Sequence, residues 1–419
     1  MRKLFLKIIR WKLKILAQWM IWKYRPGIIG ITGSVGKTST KEAITKVLNG
    51  ERLIRASSKN FNNEIGLPLT ILGPWESTKG FFFWPKALLS SLFKLILPKS
   101  FSKPYPEILI LEYAADRPGD IKYLLKIARP NISVITAIGD MPVHVEFYAS
   151  PGDVAREKSR LIEYLPTAGF AILNNDDKTV AALKDRTRAH IMTFGFNPGS
   201  ELRVTGYEVK KDKDQPLGIS FKLEYGGSMV PVRLDNVFGK AQAYAVAAAV
   251  CVGIVFRMNL IKIAEKLKGY RPLSGRMVLK EGIKESLILD DAYNASPVSM
   301  RAALETLESL PAKRRIAVLG DMTELGKYTI PAHKEVGEIV AGRVDTLVVI
   351  GSRAKFISEG AIAKGFNKKN ILEFDIAENA LSSVQDLIRK GDLVLVKASL
   401  AIELEKIVEG IINDQGMDG

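Results

Sequence analysis

An apolar strand, a glycine-containing loop and a helix follow one another near the start of this chain, and they constrain its fold more than any other feature. Residues 27–31, GIIGI, have the composition of a short buried strand. The loop TGSVGKT follows at residues 32–38, and residues 39–48 have the composition of a helix. Elements in this order predict an α/β fold in which the loop backbone and the start of the helix bind phosphate.

The loop also carries a lysine and a hydroxyl group where phosphate chemistry uses them. Glycine lets backbone N–H groups approach phosphate oxygens, Lys37 adds positive charge, and the Thr38 hydroxyl can hold Mg²⁺. The strict Walker motif would place glycine at Ile31, so this is a shorter variant. A glycine turn without a nucleotide is the alternative, and the coincidence of strand, loop and Lys-Thr argues against it. The predicted nucleotide-binding residues of the loop are Gly33, Ser34, Val35, Gly36, Lys37, Thr38 and Ser39.

Composition excludes several classes of protein. The chain has 419 residues, enough for two or three domains. The single cysteine, Cys251, excludes a disulfide framework, and only three histidines are present, which argues against a histidine-based zinc site. The net charge of +16 is compatible with nucleic acid, an anionic membrane or anionic substrates. Because no nucleic-acid-binding module is recognisable, we expect no nucleic-acid partner.

Two segments are candidates for peripheral contact with a membrane. In residues 1–24, Lys3, Lys7, Arg10, Lys14 and Gln18 form one polar stripe at helical spacing, beside a broad face of Trp, Leu and Ile. This is typical of an amphipathic helix lying in a membrane interface, although a helix packed on the protein's own body or on a dimer partner has the same pattern. The apolar residues 81–97 predict a second membrane-contacting segment or, equally, a buried helix.

Five blocks in order along the chain resemble the Mur ligase family, and within it the D-alanyl-D-alanine-adding (MurF-type) members. The first is the loop itself, TGSVGKTSTKE, at residues 32–42. It is followed by NFNNEIGLP at 60–68, EYAA with GDI at 112–121, DDAYNASP at 290–297 and GDMTELG at 320–326. The similarity covers about residues 26–410, and five ordered blocks are far more specific than the loop alone.

The resemblance implies an ATP-dependent ligase that joins a carboxylate to an amine through an acyl phosphate. The implied cofactors are ATP and Mg²⁺, and the implied substrates are a muramoyl-peptide cell-wall precursor and D-alanyl-D-alanine. A Mur-type ligase acting on a different or lipid-linked acid, or another amine, is one alternative. A non-catalytic, membrane-tethered ATP-binding scaffold is another. The implied location is the cytoplasm, at the inner face of the membrane if residues 1–24 bind lipid.

The resemblance also implies roles for residues outside the loop. Glu112 ends an apolar run, residues 108–111, and a carboxylate at that end of a parallel strand faces the crevice where such sheets bind ligands. The resemblance makes Glu112 a magnesium ligand with Thr38, and His144 a ligand of a second Mg²⁺. Lys158 stands where the family carries a carbamylated, metal-binding lysine. The predicted catalytic residues are Lys37, Lys158, His144 and Arg276.

Nucleotide recognition is expected to be shared between two domains. The turn beginning at Asn174 resembles the family's N-x-D-D turn, and the acidic pair Asp290 and Asp291 is expected near the ribose. Asn294 belongs to the same block, and Lys397 matches a late lysine near the acceptor. The sequence departs from the family pattern at Ala114, Ala137, Ala241, Gln242, Ala245 and Leu400. These departures put the adenine contacts and the identity of the acceptor in question.

The predicted architecture is α/β, with an amphipathic helix before two domains. Residues 1–25 form the helix, and residues 26–270 form a P-loop ATPase domain with a mostly parallel sheet and a β-rich element at 200–236. Residues 271–419 form a Rossmann-like α/β domain. MurF-type enzymes usually carry an N-terminal domain that grips the UDP-sugar. Only about 25 residues precede the loop's strand here, which favours the lipid-linked alternative.

Overall fold

The computed structural model describes residues 2–58, 61–78, 80, 82–98, 104–213 and 215–412, with the backbone alone for residues 2–5. Some predicted features therefore lie outside the described residues. They are Asn60 of the asparagine block, Phe81 at the start of the second apolar segment, the side chains of Lys3 and Leu4, and residues 413–419 of the predicted second domain.

Within the described part, nine strands form the first sheet. They are β1 (Gly27–Thr32), β2 (Ile54–Ala56), β3 (Ile108–Glu112), β4 (Ile132–Ile135), β5 (Phe170–Asn174), β6 (His190–Gly195), β7 (Leu202–Asp212), β8 (Gln215–Tyr225) and β9 (Ser228–Asp235). The order is β2-β3-β1-β4-β5-β6-β7-β8-β9, parallel from β2 to β7 and antiparallel from β7 to β9. The predicted β-rich element at 200–236 is therefore confirmed as β7–β9.

Helices cover both faces of this sheet. They are α1 (Arg2–Tyr24), α2 (Lys37–Leu48), α3 (Gly66–Leu72), α4 (Phe83–Ile96), α5 (Asp120–Leu125), α6 (Pro151–Glu163), α7 (Lys178–Ala181), α8 (Lys240–Val255) and α9 (Leu260–Leu267). Leu109 and Leu111 of β3 pack with α1, α3 and α5, whereas Ile108 and Ile110 face α2, α8 and α9. Successive strand residues point to opposite faces, so burial on both faces explains the unbroken apolar run before Glu112.

Helix α1 is part of the protein's own core. It ends at Tyr24, before Pro26, as the sequence predicts. Ile9, Leu13 and Met20 are fully or almost fully buried in the cluster that also contains β3 and α3. Packing on the protein's own body is thus correct for one face of the helix. In the described residues, no helix combines the length and the apolar character needed to cross a bilayer.

Helix α4 corresponds to the second apolar segment, and it is not a buried helix. Among its described side chains, only Ala87 and Ser91 are buried. Leu89, Phe93 and Ile96 are exposed. The expectation that this segment could be a buried helix is therefore wrong. Enclosure in the core does not explain its apolar composition, because α4 lies over the surface and its inner aromatic and leucine side chains are only partly buried against the core cluster.

A second sheet of six strands lies in the C-terminal part. It comprises β10 (Val278–Gly282), β11 (Ser286–Asp290), β12 (Arg314–Gly320), β13 (Thr346–Ile350), β14 (Ile371–Phe374) and β15 (Asp392–Lys397). The order is β10-β11-β15-β12-β13-β14, and only β10 runs antiparallel to its neighbour. Helices α10 (Pro297–Ser309), α11 (Thr329–Val340), α12 (Lys355–Ala363), α13 (Ala377–Leu387) and α14 (Glu405–Ile411) surround it. The predicted α/β class with mostly parallel sheets is confirmed.

The ends of two elements bear on the site and on the domain bounds. The stretch 132–138 is apolar throughout, but its strand ends at Ile135, and Ala137 pairs in a single antiparallel bridge with Val35. The first sheet's last helix ends at Leu267, and the second sheet begins at Val278. The domain bounds at 26–270 and 271–419 remain a prediction.

We predict that Leu13→Ala destabilises the N-terminal sheet by about 2–5 kcal/mol, since it empties a fully buried site. All five tryptophans lie between residues 11 and 84, so their fluorescence during urea unfolding reports on this part of the chain. Ile8→Ala is the matched control, because Ile8 is exposed on the same helix. Equal losses in the two variants would show that α1 does not contribute to the core.

Candidate active site

The phosphate loop, residues 32–38, is held against the end of β4. The N–H groups of Ser34 and Val35 donate to the carbonyl oxygen of Ala137, at 2.6 and 3.2 Å. The hydroxyl of Thr136 donates to the carbonyl of Val35 at 2.6 Å. The contact at Ala137 uses its backbone, so the departure from the family's asparagine at this position leaves the loop attached.

Glycine is required at the start of the loop. Gly33 has φ +149°, and a Cβ atom there would lie 2.0 Å from Thr136 Oγ1. Gly36 has φ +87° and immediately precedes α2, whose N-terminus has no side-chain cap. Other residues rarely adopt these backbone conformations. The start of α2 therefore keeps N–H groups available for an anion.

Two lysines from different helices reach the same carbonyl in the loop. Lys37 Nζ donates to Gly33 O at 2.8 Å, and Lys158 Nζ donates to it at 3.3 Å. Lys158 projects from α6 and is almost completely buried. Burial, with repulsion from Lys37, lowers the pKa of Lys158 to about 7. Burial also lowers the pKa of Lys37, with Arg276 adding to the effect.

Glu112, Thr38 and Arg276 meet where the two sheets face each other. The Thr38 hydroxyl is 3.4 Å from Glu112 Oε2. Arg276, which follows the first sheet's last helix, donates from Nη2 to Thr38 Oγ1 at 3.0 Å and stacks over the ring of Tyr293. Lys41 Nζ is 3.2 Å from Glu112 Oε1, and both side chains are buried. A residue beyond the first sheet thus completes the surroundings of the phosphate loop.

The arrangement of Thr38 and Glu112 fits a magnesium ion. Glu112 Oε1 is buried, makes no hydrogen bond and lies 3.2 Å from the Lys41 ammonium, so a magnesium ion here would share this carboxylate with Lys41. Mg²⁺ is usually held by one or two carboxylates together with water and substrate phosphates. In the described ranges, no group of three or more His, Cys, Asp or Glu side chains is arranged to hold a metal ion. The protein's own contribution is accordingly a hydroxyl and a carboxylate.

His144 lies between two carboxylates. Its Nδ1 is 2.6 Å from Glu324 Oε2, and its Nε2 is 3.3 Å from Asp116 Oδ1. Glu324 follows the second sheet's strand β12, whereas Asp116 follows β3, so the imidazole joins the two halves of the chain. The hydrogen bond with His144 holds the pKa of Glu324 below its usual value.

The two carboxylates at the end of β11, Asp290 and Asp291, have different partners. Asp291 borders the cavity and accepts a hydrogen bond from Lys397 Nζ at 2.6 Å. Burial raises the pKa of Asp291, although the positive charge of Lys397 acts in the opposite direction. Lys397 also donates to the carbonyl of Asn294. Asp290 instead accepts from the N–H of Gly275 and pairs with Lys280. Asp290 is not among the residues that line the cavity, so it acts on the loop that carries Arg276.

These groups surround one cavity of about 410 Å³ between the two sheets. Its walls include the predicted residues Ser34, Val35, Gly36, Lys37, Thr38, Ser39, Glu112, His144, Lys158, Arg276, Asp291 and Asn294. In the sheet, β1 lies between β3 and β4. The chain continues from β1 to the β2–β3 side, and from β4 to the β5 side, and ligands commonly bind where the order reverses in this way. Gly33 contributes through its backbone rather than as a lining residue.

A second cavity of about 460 Å³ continues from the first along the phosphate loop. Val35 and Gly36 border both cavities. Asn174 lies in the second cavity, beside Phe194 and Tyr244. Tyr244 donates to Asp176 Oδ2 at 2.7 Å, so the ring is held in place. An aromatic, partly apolar space next to a phosphate loop suits a nucleotide base.

Four residues at which the sequence departs from the family pattern lie in or beside the two cavities. Ala241 and Ala245 line the second cavity with small apolar groups. Gln242 is buried, donates to the backbone carbonyl of Arg276 and accepts from the hydroxyl of Tyr270. It therefore positions the arginine's backbone. Leu400 is half exposed on the wall of the first cavity.

Sequence reasoning missed several residues in or beside these cavities. Asp116, Tyr244 and Tyr293 line them, and Lys41 and Glu324 contact the lining residues Glu112 and His144. Tyr244 was detectable as the only aromatic residue in the alanine-rich run 239–249, and Glu324 lies inside a recognised block. Lys41 and Asp116 also lie within the span of such blocks, but nothing local separates them from an ordinary helix residue and an ordinary turn residue. Only their neighbours in space distinguish them.

Fold and site together define a class of P-loop enzymes in which two α/β sheets enclose a nucleotide-sized cleft. The sequence profile of the Mur ligase middle domain matches residues 31–83 and 92–253. That of the Mur ligase, glutamate ligase domain, matches residues 275–400. These matches cover more than half of the chain, and the chain belongs to the Mur ligase family.

Individual relatives agree with this assignment. The UDP-N-acetylmuramoyl-tripeptide--D-alanyl-D-alanine ligase of Bacillus subtilis (strain 168) is 31% identical over 392 residues, which are 92% of this chain and 76% of the relative. MurF ligase from Thermotoga maritima in complex with ADP superposes with a TM-score of 0.78 at 27% identity, covering 95% of this chain and 82% of that one. MurF from Acinetobacter baumannii gives a TM-score of 0.79 at 25% identity, covering 96% and 80%.

The comparisons confirm that the chain is an ATP-dependent ligase of the type its sequence resembles. They leave the roles of individual residues as predictions. The structure adds that the predicted residues of the phosphate loop, Glu112, His144, Lys158, Arg276, Asp291 and Asn294 come together around one cavity or its rim. Asn174 lies in the neighbouring cavity, and Asp290, the last residue of β11, bonds to the loop that carries Arg276.

We predict that Gly33→Ala weakens ATP binding by at least about tenfold, because the added Cβ displaces Thr136 and distorts the loop. Isothermal titration calorimetry with ATP measures the effect. Gly227→Ala is the matched control, since Gly227 also has positive φ but has no atom within 4 Å of an added Cβ. ATP affinity equal to that of the parent protein in Gly33→Ala would contradict the assigned function of the loop.

Proposed function

We propose that this protein joins D-alanyl-D-alanine to the carboxylate of a muramoyl tripeptide, with ATP as the source of energy. The observation that carries the proposal is the convergence of Lys37, Lys158, Arg276 and Lys397 on a cavity bounded by both sheets. Triphosphate, substrate carboxylate and transferring phosphoryl group all bring negative charge, and four buried or half-buried cations balance it. Relatives that share most of this chain's length carry the name of this activity.

The chemistry has two steps. A carboxylate oxygen attacks the γ-phosphorus of ATP; the bond to the bridging oxygen breaks, and ADP leaves with that electron pair. The amine then attacks the acyl phosphate carbon and loses a proton, and inorganic phosphate leaves as the amide forms. We assign Lys37 and Arg276 to the phosphates and Lys397 to the acceptor side. Positioning and charge neutralisation are the main contributions a protein makes to phosphoryl transfer.

The proposed nucleotide contacts follow the two cavities. The triphosphate lies along the phosphate loop, residues Gly33 to Ser39, and the base lies in the second cavity near Asn174 and Tyr244. Asp291 and Asn294 approach from the second sheet, and Asp290 supports them through its bond to the loop that carries Arg276. We take residues 26–270 and 271–419 as the two units that close over ATP.

Magnesium would be held by Thr38 and Glu112, where it would neutralise phosphate charge. We propose that His144 ligates a second Mg²⁺ after exchanging its carboxylate contacts. Lys158 is proposed to react with CO₂, forming a carbon–nitrogen bond and releasing a proton. The resulting carbamate would be a further oxygen ligand. Support comes from the burial of Lys158 beside Lys37 and from its lowered pKa, since only a neutral amine attacks CO₂.

A second candidate is a ligase of the same mechanism that acts on a different acid or amine. Leu400 favours it, because this apolar side chain stands on the cavity wall close in sequence to Lys397. An apolar wall suits an acceptor with less charge than a dipeptide. Release of ADP in a screen of acids and amines separates the two candidates, since only the cognate pair supports continuous turnover.

We infer that the enzyme works in the cytoplasm, where ATP is available and where the single buried thiol of Cys251 suits a reducing environment. We also propose contact with the inner face of the membrane through α1 and α4. Both helices expose large apolar side chains that the core does not cover.

We predict that Lys37→Ala abolishes ADP release with muramoyl tripeptide and D-alanyl-D-alanine while the fold persists. Its charge faces the phosphates, so the expected loss is at least about 1000-fold, of the size seen when one charge-stabilising group is removed. Lys262→Ala serves as control, since Lys262 pairs with Glu51 on the surface. Normal turnover in Lys37→Ala would overturn the assignment.

We predict that Lys158→Ala loses turnover and that acetate or formate restores part of it by supplying the missing carboxylate. Nuclear magnetic resonance with ¹³C-labelled bicarbonate should detect a carbamate in the parent protein and none in the variant. The pKa of Lys158 is about 7, so the carbamate signal should grow as the pH rises through 7 and the amine becomes neutral. No signal at pH 8 in the folded parent protein would leave an unmodified lysine.

A further inference from the structure

We propose that α1 and α4 together form a docking surface for an anionic lipid bilayer, called here the α1–α4 surface. It comprises the outward side chains of the two helices, with Trp11, Trp19, Trp22, Leu89, Phe93 and Ile96 as its main apolar members. The inference deepens the proposed function by placing the ligase at a membrane. It does not require that function to be correct, because lipid binding can be measured without turnover.

Helix α1 is apolar on two opposite sides. Ile9, Leu13 and Met20 point into the core, and at about 100° per residue they cluster on one side of the helix. Trp11 and Trp22 lie on the opposite side, with exposed fractions of 61% and 76%. Burial in the core therefore explains only half of the helix's apolar residues. The exposed half needs a separate explanation, because soluble proteins rarely leave a large apolar patch in water.

Basic residues flank the exposed tryptophans of α1. Lys7 and Arg10 lie to one side of the apolar arc, and Lys12 lies to the other; all three are exposed. Neither α1 nor α4 contains an aspartate or glutamate. Tryptophan prefers the boundary between hydrocarbon and headgroups, and lysine and arginine are attracted to anionic headgroups. The tryptophans thus match the boundary between hydrocarbon and headgroups, and the basic residues match the anionic headgroups themselves.

Helix α4 extends the apolar area beside α1. The ammonium of Lys23 donates to the backbone carbonyls of Lys94, Leu95 and Leu97, and the hydroxyl of Tyr24 donates to that of Lys94. These bonds attach the end of α1 to the end of α4. Both helices bury their other face in the same core cluster, so their exposed faces point away from it. Eight of the 21 exposed large apolar side chains in the described residues lie on these two helices.

A second copy of this chain is a poorer occupant. A symmetric dimer would bring the same patch of each copy together, and the basic flanks around Lys7, Arg10 and Lys12 would then repel each other. A bilayer rich in acidic lipid supplies the opposite charge instead. Its apolar interior also accepts the outward tryptophans without requiring a shaped pocket.

The α1–α4 surface lies next to the rim of the active-site cavity. Arg10 forms an ion pair of 3.0 Å with Glu64. Glu64 belongs to the short loop before α3 that also contains Asn62, which lines the cavity. Docking would therefore hold this rim close to the headgroups, where an acid carried by a membrane lipid could reach it.

The test compares binding of the full-length protein to vesicles of pure phosphatidylcholine and vesicles containing phosphatidylglycerol. We expect the parent protein to sediment with the phosphatidylglycerol vesicles. Trp19→Glu with Trp22→Glu should weaken this binding at least about tenfold, since each places a charge in the interface. Lys7→Glu with Lys12→Glu should remove the preference for anionic lipid. These side chains are exposed, so circular dichroism should show an unchanged fold.

The matched control is Met229→Glu with Ile261→Glu, two exposed apolar residues outside the α1–α4 surface. It adds the same charge and should bind vesicles like the parent protein. Equal binding by the tryptophan variant, or no binding by the parent protein, overturns the proposal. So does a lipid-free dimer, seen by analytical ultracentrifugation, that the tryptophan substitutions dissociate. Vesicle binding without ligase activity would instead refute the proposed function and leave the docking surface standing.

Discussion

Repulsion among buried cations around the phosphate loop is the constraint on which the rest of this structure depends. Lys37 and Lys158 share one carbonyl acceptor, and Arg276 stands against the same loop. Burial lowers the pKa of both lysines, with repulsion from Lys37 adding to the effect on Lys158 and repulsion from Arg276 adding to the effect on Lys37. Glu112 offsets part of the charge, although it is also paired with Lys41. Such an arrangement favours an anion in the cavity.

Neither sheet can build this site alone. The first supplies the phosphate loop, Glu112 and Lys158, all at the carboxyl ends of its parallel strands or on the helices that follow. The second supplies Asp291 and Lys397, and the connecting segment supplies Arg276. The contacts of Arg276 with Thr38 and of His144 with Glu324 therefore tie catalysis to the relative position of the two sheets.

Local patterns account for the parts that the sequence predicted well. The strand before the phosphate loop, the run before Glu112 and the β-rich element at 200–236 all follow from periodicity and turn residues. The apolar segment at α4 shows where that reasoning fails. A run of apolar residues is the same in sequence whether it is enclosed by the core or exposed to a membrane, and only the position of neighbouring elements separates the two.

The sequence by itself determined phosphate binding, because this needs glycine backbone, lysine and threonine close together in the chain, and such spacing is visible in sequence. The reaction class followed from the resemblance of five ordered blocks to the Mur ligase family. It also determined the α/β class and the boundary of α1 at Pro26. Only the tertiary structure decided which side chains meet. Asp290 bonds to the loop that carries Arg276 whereas Asp291 faces the cavity, and Lys41 of α2 pairs with Glu112 at the end of β3. The physical reason is range: a backbone motif acts over a few residues, whereas charge and burial act through space between residues that are distant in the chain.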